Sequence, residues 1–171
     1  ADIFSIITSF FACLLWALSS TYSISYFKEE KFPKLKRYNI FSILNLYTIL
    51  LIFLASNMMT FFIFFELLLI ASYVLIIHNQ TVESFTAGMK YLFFQIIGGL
   101  LILFAIILTH SIANTTNFTP GGLTVLTESK FFSIIFWCYV IGFSIKAGLF
   151  PVHIWLPEAH PVAPSPASAL L

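Results

Sequence analysis

The sequence predicts an all-α fold, a polytopic bundle of transmembrane helices. Of its 171 residues, 60% are hydrophobic and 9% are charged, and the mean hydropathy is +0.99. A soluble globular domain carries roughly 25% charged residues, so this chain is too poor in charge to cover a water-facing surface. Seven of its fifteen charged residues lie in the stretch Lys28 to Arg37, which leaves long uncharged runs elsewhere.

The uncharged runs divide into five spans. A spanning helix needs about 20 mainly apolar residues, and Ile3 to Phe27 supplies the first before the charged stretch with its breaker Pro33. The apolar run from 39 to 77 is too long for one helix, and the polar segment 56–60 predicts a fold-back within it. Residues 110–129, with the turn signals of 120–122, separate the last two spans. The predicted spans are about 3–27, 40–56, 59–77, 85–109 and 131–157, and a sixth begins after Pro166.

The loops predict an orientation. Five of the eight Lys and Arg residues lie in the loop 28–37, and the positive-inside rule therefore predicts that this loop is cytoplasmic. Counting spans from there, the loop 78–84 lies on the same side and the loop 110–129 on the other.

Several classes of function are excluded by composition. A net charge of +1 without a basic face gives no surface for nucleic acid. Cys13 and Cys138 are too few for a four-thiolate zinc site or an iron–sulfur cluster. The sequence has no Gly-rich phosphate loop, nucleophile elbow or haem motif. We therefore expect no catalytic residue, metal site or cofactor in this chain.

Two ionisable residues interrupt the apolar runs. Glu66 is the only charged residue between Tyr38 and Val82, and Lys146 follows fifteen uncharged residues. A charge inside the membrane is costly unless it is paired, protonated or hydrated, so such residues are candidates for a functional site. The alternative interpretation is a buried ion pair that only fixes helix packing.

Glu66 and Lys146 are predicted to lie at similar depths in the membrane. Glu66 lies two residues from the centre of the span 59–77, roughly 3 Å from the midplane. Lys146 lies near the centre of the span 131–157 if that helix is broken at Gly148 and Pro151. Discontinuous helices at the midplane mark ion sites in transporters. The sequence therefore predicts a Glu66–Lys146 proton relay.

Three further residues are weaker candidates. Lys90 lies about four residues into the fourth span, where it either snorkels to the surface or acts as a second relay lysine, and Gly98-Gly99 permits close helix contact at mid-span. His153 and His160 flank WLPEA; they either pass protons at neutral pH or cap the broken helix.

A family resemblance extends along nearly the whole chain. The segment KAGLFPVHIWLPEAHPVAPSPASALL (146–171) resembles the signature of the antiporter-like, proton-translocating membrane subunits related to respiratory complex I. The upstream segments YSISYF (22–27), FFELLLIASYVLI (64–76) and MKYLFFQIIGG (89–99) are similar to the same family. Within the family, the segment AHPVAPSPASALL (159–171) is most similar to subunits of membrane-bound nickel–iron hydrogenases and formate hydrogenlyase.

The resemblance implies roles and partners. It implies that Glu66 and Lys146 form the relay pair, that Lys90 modulates it, and that the chain corresponds to helices three to seven and the start of eight in a longer protein with inverted repeats. The implied function is proton translocation in a redox-driven complex of NADH–quinone oxidoreductase or hydrogenase type. The partners would be other membrane subunits and, through them, iron–sulfur-containing peripheral subunits, in a bacterial, archaeal or organelle inner membrane. The alternatives are a cation/proton antiporter subunit without a redox partner and a structural membrane subunit.

Overall fold

The computed structural model describes residues 3–28, 32–119 and 122–170, and most of these residues are helical. The predicted all-α class is therefore confirmed. The helices are α1 (Ile3–Tyr26), α2 (Phe32–Phe53), α3 (Met58–Ile76), α4 (Val82–Ala113), α5 (Phe132–Ala147), α6 (Leu156–Val162) and α7 (Ser165–Ser168), with short 3₁₀ turns at Ile77–Asn79 and Thr124–Leu126.

The five longer helices pack side by side in chain order. Each of α1 to α4 contacts the next helix, and the short helices α6 and α7 fold back so that α6 lies against α3 and α4 while α7 lies against α1 and α3. A core cluster of Leu69, Tyr91, Trp155 and Ala159 lies where α3, α4 and α6 meet. The segment after α5 is therefore part of the interior of the bundle.

Three helical segments are long and apolar enough to cross a membrane: Ile3–Tyr26, Met58–Asn79 and Val82–Ala113. The helix α5 is apolar but has only 16 residues, and α2 has 22 residues with the basic side chains of Lys34, Lys36 and Arg37 near its start. The described helices overlap the five predicted spans, and the three segments account for the first, third and fourth of them.

One boundary differs from the prediction. The helix α2 begins at Phe32 and not near residue 40. Pro33 falls in its first turn, where a backbone N–H has no acceptor inside the helix, so proline does not interrupt it there. Pro166 lies in the short helix α7, and the sixth span stays a prediction. The predicted turn at 120–121 and the middle of the charged stretch, 29–31, lie outside the described residues.

The fold-back between α2 and α3 is fixed by polar contacts. The Asn57 side chain caps α3 by accepting a hydrogen bond from the Thr60 amide at 2.8 Å, as the preference for Asn at helix N-caps predicts. The Met58 amide donates to the Thr116 carbonyl at 2.8 Å. This turn is thereby tied to the loop that follows α4, as well as being capped locally.

Glycines allow α4 and α5 to cross closely. The sequence predicted a close helix contact at Gly98-Gly99, and Gly98 lies at this crossing. A Cβ on Gly142 would lie 2.9 Å from the Gly98 carbonyl oxygen and 2.7 Å from a side-chain carbon of Ile102. A Cβ on Gly98 would lie 3.0 Å from the Gly142 carbonyl oxygen. The two backbones are therefore in contact, as at small-residue crossings in membrane bundles.

This contact gives a test of the packing. We expect Gly142→Ala to destabilise the protein by about 1–3 kcal/mol, the usual cost of overpacking, because the new methyl group would meet backbone atoms of α4. Thermal unfolding of the purified protein in detergent measures the change. Ser133→Ala, at an exposed position of the same helix, is the control. Equal midpoints for the two variants would contradict the close crossing.

Candidate functional site: a buried carboxylate–ammonium pair

The structure brings Glu66 and Lys146 into direct contact. The Lys146 Nζ donates a hydrogen bond to the Glu66 Oε1 at 2.7 Å, and the Lys146 side chain is only 2% exposed while that of Glu66 is 29% exposed. Glu66 lies eight residues after Met58 and ten before Ile76, about 12 Å and 15 Å along the helix. The pair therefore lies at mid-height of α3.

The neighbours of the pair leave it little freedom. A Cβ on Gly99 would lie 2.5 Å from the Glu66 Oε1, so the carboxylate occupies the space of the missing side chain. The Lys146 Nζ lies 4.6 Å from the centre of the Phe65 ring, a distance at which a cation is attracted to the ring face. Gly99 and Phe65 therefore help to fix both charged groups.

The helix break follows Lys146 directly. The helix α5 ends at Ala147, and Gly148 has φ +64°, a left-handed conformation that terminates helices and favours glycine. Residues 148–155, including Pro151, connect α5 to α6 without α-helix. The predicted interruption near Gly148 and Pro151 is therefore present, and it places Lys146 in the last turn of a helix that stops inside the bundle.

The connecting segment is tied back to α5. The Trp155 Nε1 donates to the Ile145 carbonyl at 2.9 Å, and the Trp155 ring packs edge-on against Tyr91 at a centroid distance of 5.1 Å. The Gln95 amide donates to the Lys146 carbonyl at 3.4 Å. These contacts fix the connecting segment and α4 against the end of α5.

A cavity of about 200 Å³ adjoins the lysine. Polar side chains from three helices line it, namely Ser72 of α3, Tyr91 and Gln95 of α4, and Lys146 of α5. Apolar side chains line the rest of the cavity, and the polar groups offer hydrogen bonds to water in a space of this size. Lys146 therefore has both a carboxylate partner and a space in which water can reach it.

Lys90 has a different partner, which sequence reasoning missed. Its Nζ lies 2.8 Å from one carboxylate oxygen of Glu158 and 2.7 Å from the other, and the two side chains are 48% and 40% exposed. Glu158 lies on α6, 68 positions away. The only signal for it in the sequence is its position inside WLPEA, between His153 and His160. Lys90 thus links α4 to α6 instead of contacting the Glu66–Lys146 pair.

The two histidines lie on either side of the start of α6. The His160 Nδ1 lies 2.8 Å from the Ser168 Oγ, so this ring connects α6 to α7. His153 lies in the connecting segment with its ring 5.7 Å from that of Phe150, and its Nδ1 is enclosed without a hydrogen-bond partner among the described residues. Neither ring is hydrogen-bonded to Glu66 or Lys146 within that part of the chain.

The apolar helices indicate an integral membrane protein, and it contains a buried ion pair at mid-bundle. Comparison with known proteins identifies the family: residues 55–171 match the family described as NADH:quinone oxidoreductase/Mrp antiporter, TM. The chain belongs to this family, which confirms the resemblance seen in the sequence.

Individual relatives agree with this assignment. The chain is 32% identical to hydrogenase-4 component B of Escherichia coli (strain K12) over 92% of its own length and 23% of the relative's. It is 35% identical to NADH-ubiquinone oxidoreductase chain 4 of Acanthamoeba castellanii over 79% of its length and 28% of the relative's. The chain therefore spans about a quarter of the length of these relatives.

A solved structure shares the fold. The chain superimposes on part of the Mrp complex from Dietzia sp. DQ12-45-1b with a TM-score of 0.81 at 21% identity, over 99% of this chain and 32% of that one. The helical arrangement described above is thus a known membrane-protein fold.

The burial of the pair predicts strong coupling between its members. Removing one partner of a buried ion pair costs about 3–5 kcal/mol because the other charge is left uncompensated. We expect Glu66→Leu and Lys146→Met each to destabilise the protein by about this amount. The double variant should recover most of that loss. Thermal unfolding in detergent measures all three, and additive losses would show that the two residues do not interact.

Proposed function

We propose that the chain is part of a proton-translocating membrane subunit of a redox-driven multi-subunit complex, with protons passing through Glu66 and Lys146. The observation that carries this proposal is the 2.7 Å contact between the two groups at mid-bundle, at the end of a broken helix. The adjoining cavity supports it because water can deliver or accept a proton at Lys146.

The proposed relay has two states, of which the structure contains the one with Glu66 and Lys146 in contact. When the Glu66 carboxylate is in contact, it stabilises the charged ammonium of Lys146, and the Phe65 ring adds to that stabilisation. When the carboxylate is drawn away, the ammonium is left in a poorly hydrated site, which favours release of its proton. A displacement of Glu66 would therefore load or unload Lys146 without a cofactor.

The partners are part of the proposal. The naming of the relatives as components, chains and subunits supports association with other membrane subunits, and a redox-driven complex would add iron–sulfur-containing peripheral subunits. We also propose that the loop 28–37 faces the cytoplasm, since it contains five of the eight Lys and Arg residues.

A second candidate function is cation/proton antiport without a redox partner. It is favoured by the description of the family, which includes the Mrp antiporter, and by the fold shared with an Mrp complex. Mass spectrometry of the native complex, purified in mild detergent, distinguishes the two. Iron–sulfur and hydrogenase-like or NADH-oxidising subunits would support the redox-driven pump. Small hydrophobic partners alone would support the antiporter.

Replacement of the carboxylate tests the relay. We expect Glu66→Gln to abolish proton movement, because the amide keeps the size of the side chain and removes the charge that holds the Lys146 proton. Quenching of a pH-sensitive dye in vesicles containing the native complex measures proton movement. Glu128→Gln, an exposed carboxylate in the loop before α5, is the matched control. Normal translocation by the Glu66→Gln complex would overturn the proposed function.

The Lys90–Glu158 pair has a testable role beside the relay. We propose that it modulates the rate by fixing α6 against α4. Lys90→Glu and Glu158→Lys, made singly, should each slow translocation because two like charges then face each other. The double exchange should restore the rate, because it re-forms the pair in reverse. The same dye assay measures all three. Full activity in both single variants would show that the pair does not modulate translocation and is only a surface contact.

A further inference from the structure

A polar crevice lies between α1 and α2, near the end of the bundle where α1 ends and α2 begins. It has a volume of about 240 Å³, and its polar lining residues are Ser20, Ser23, Tyr38, Asn39 and Ser42. Ile24 and Ile43 also line it and are exposed, as is Asn39. The crevice therefore opens at the surface of the bundle and presents polar groups there.

The Tyr38 hydroxyl is the group in the crevice that points to a ligand. Tyr38 is 2% exposed, and its hydroxyl has no direct hydrogen-bond partner among the described residues. It lies beside the hydroxyls of Ser19 and Ser42. Ser19 donates its own hydrogen bond to the Pro166 carbonyl at 2.6 Å, and the Ser42 hydroxyl accepts one from the Trp16 indole at 3.1 Å. A buried hydroxyl without a partner is costly, so this donor suits a ligand that carries oxygen acceptors.

Two lysines stand at the mouth of the crevice. In α2, Lys36 precedes Asn39 by three residues and Ile43 by seven, a spacing that places the three on one face of the helix. On the opposite wall, Lys28 follows Ile24 by four residues, just after the end of α1. Both lysine side chains are exposed. Positive charge therefore lies one turn beyond the polar lining, towards the end of the bundle.

The chemistry of the crevice changes in a fixed order with depth. The lysines come first, the hydroxyl and amide groups follow, and the exposed hydrophobic side chains of Ile43 and Tyr47 continue the same face of α2. A phospholipid has the same three zones in the same order, namely the phosphate, the glycerol esters and the acyl chains. The crevice thus matches a phospholipid in both sequence of zones and charge.

We propose that the crevice between α1 and α2 binds an anionic phospholipid. Its phosphate lies between Lys28 and Lys36, its phosphate or ester oxygens accept from Tyr38 and Asn39, and an acyl chain lies along Ile43. The stretch 28–37 contains five basic and two acidic residues, and basic segments beside membrane helices attract anionic lipids. This inference goes beyond the proposed function and stands or fails independently of proton movement.

Photolabelling locates the lipid. The native complex, washed in mild detergent, is incubated with phosphatidylglycerol that carries a photoreactive group near the top of one acyl chain, and labelled peptides are identified by mass spectrometry. We expect labelling within residues 16–28 and 36–47. Phosphatidylcholine with the same chains should label them about 30-fold less, because it has no net charge and each lysine near an anionic lipid contributes about fivefold. Equal labelling by the two lipids would overturn the proposal.

Removal of the lysines tests the contact with the phosphate. Lys28→Gln and Lys36→Gln, combined in one variant, should lower phosphatidylglycerol labelling to the level of phosphatidylcholine. Both side chains are exposed, so the fold should not change. The control is Lys130→Gln, which removes an exposed lysine from the loop before α5. If the double variant is labelled as strongly as this control, the lysines do not hold the lipid and the site is overturned.

Removal of the buried hydroxyl distinguishes a lipid seated in the crevice from one attracted only to the surface. We expect Tyr38→Phe to weaken labelling by both lipids about fivefold, the usual net contribution of one hydrogen bond. Tyr22→Phe, at an exposed position of α1, is the control. Unchanged labelling in Tyr38→Phe would overturn the crevice as the site. Native gel electrophoresis establishes assembly, and Asn39→Ala replaces Tyr38→Phe if that complex does not assemble, with the same expectation.

A competition experiment separates a lipid from a free anion. Inorganic phosphate offers the same oxygen acceptors and negative charge without acyl chains. We expect an excess of it to leave phosphatidylglycerol labelling unchanged, because it lacks the contacts along Ile43. Loss of labelling on adding inorganic phosphate, with the ionic strength held constant by sodium chloride, would identify an anion site and overturn the lipid.

Discussion

The contact between Lys146 and Glu66 is the constraint on which the centre of the structure depends. An ammonium group that is 2% exposed is stable only with a counter-charge and polar neighbours. The surrounding architecture meets these needs: α5 stops just after Lys146, and Gly99 leaves space on α4 for the carboxylate. The packing of α3, α4 and α5 at mid-height is therefore arranged around two charges.

The Glu66–Lys146 and Lys90–Glu158 pairs differ because their environments differ. Lys146 and Glu66 are largely enclosed, so their interaction is strong and depends on local hydration. Lys90 and Glu158 are nearly half exposed, where an ion pair contributes little to stability. The first pair links α3 to α5 in the interior of the bundle, whereas the second links α4 to α6 at its surface.

Much of the site could be predicted because a membrane makes charge conspicuous in a sequence. Glu66 and Lys146 stand alone in uncharged runs, and Gly148 and Pro151 indicate the break that brings Lys146 to mid-depth. The partner of Lys90 could not be predicted, because it depends on the direction that the chain takes after the break. The burial of Ser42 and Asn45 on α2 could not be predicted either, because Ser and Asn are common in membrane helices and only packing shows which of them are enclosed.

The two members of the pair are held by elements of different kinds. Glu66 lies at mid-height of the continuous helix α3, whereas Lys146 lies in the last turn of α5. The Lys146 carbonyl accepts a hydrogen bond from Gln95, and the neighbouring Ile145 carbonyl accepts one from Trp155. The position of the ammonium group therefore depends on the segment that follows the end of α5, whereas the position of the carboxylate depends on α3 itself.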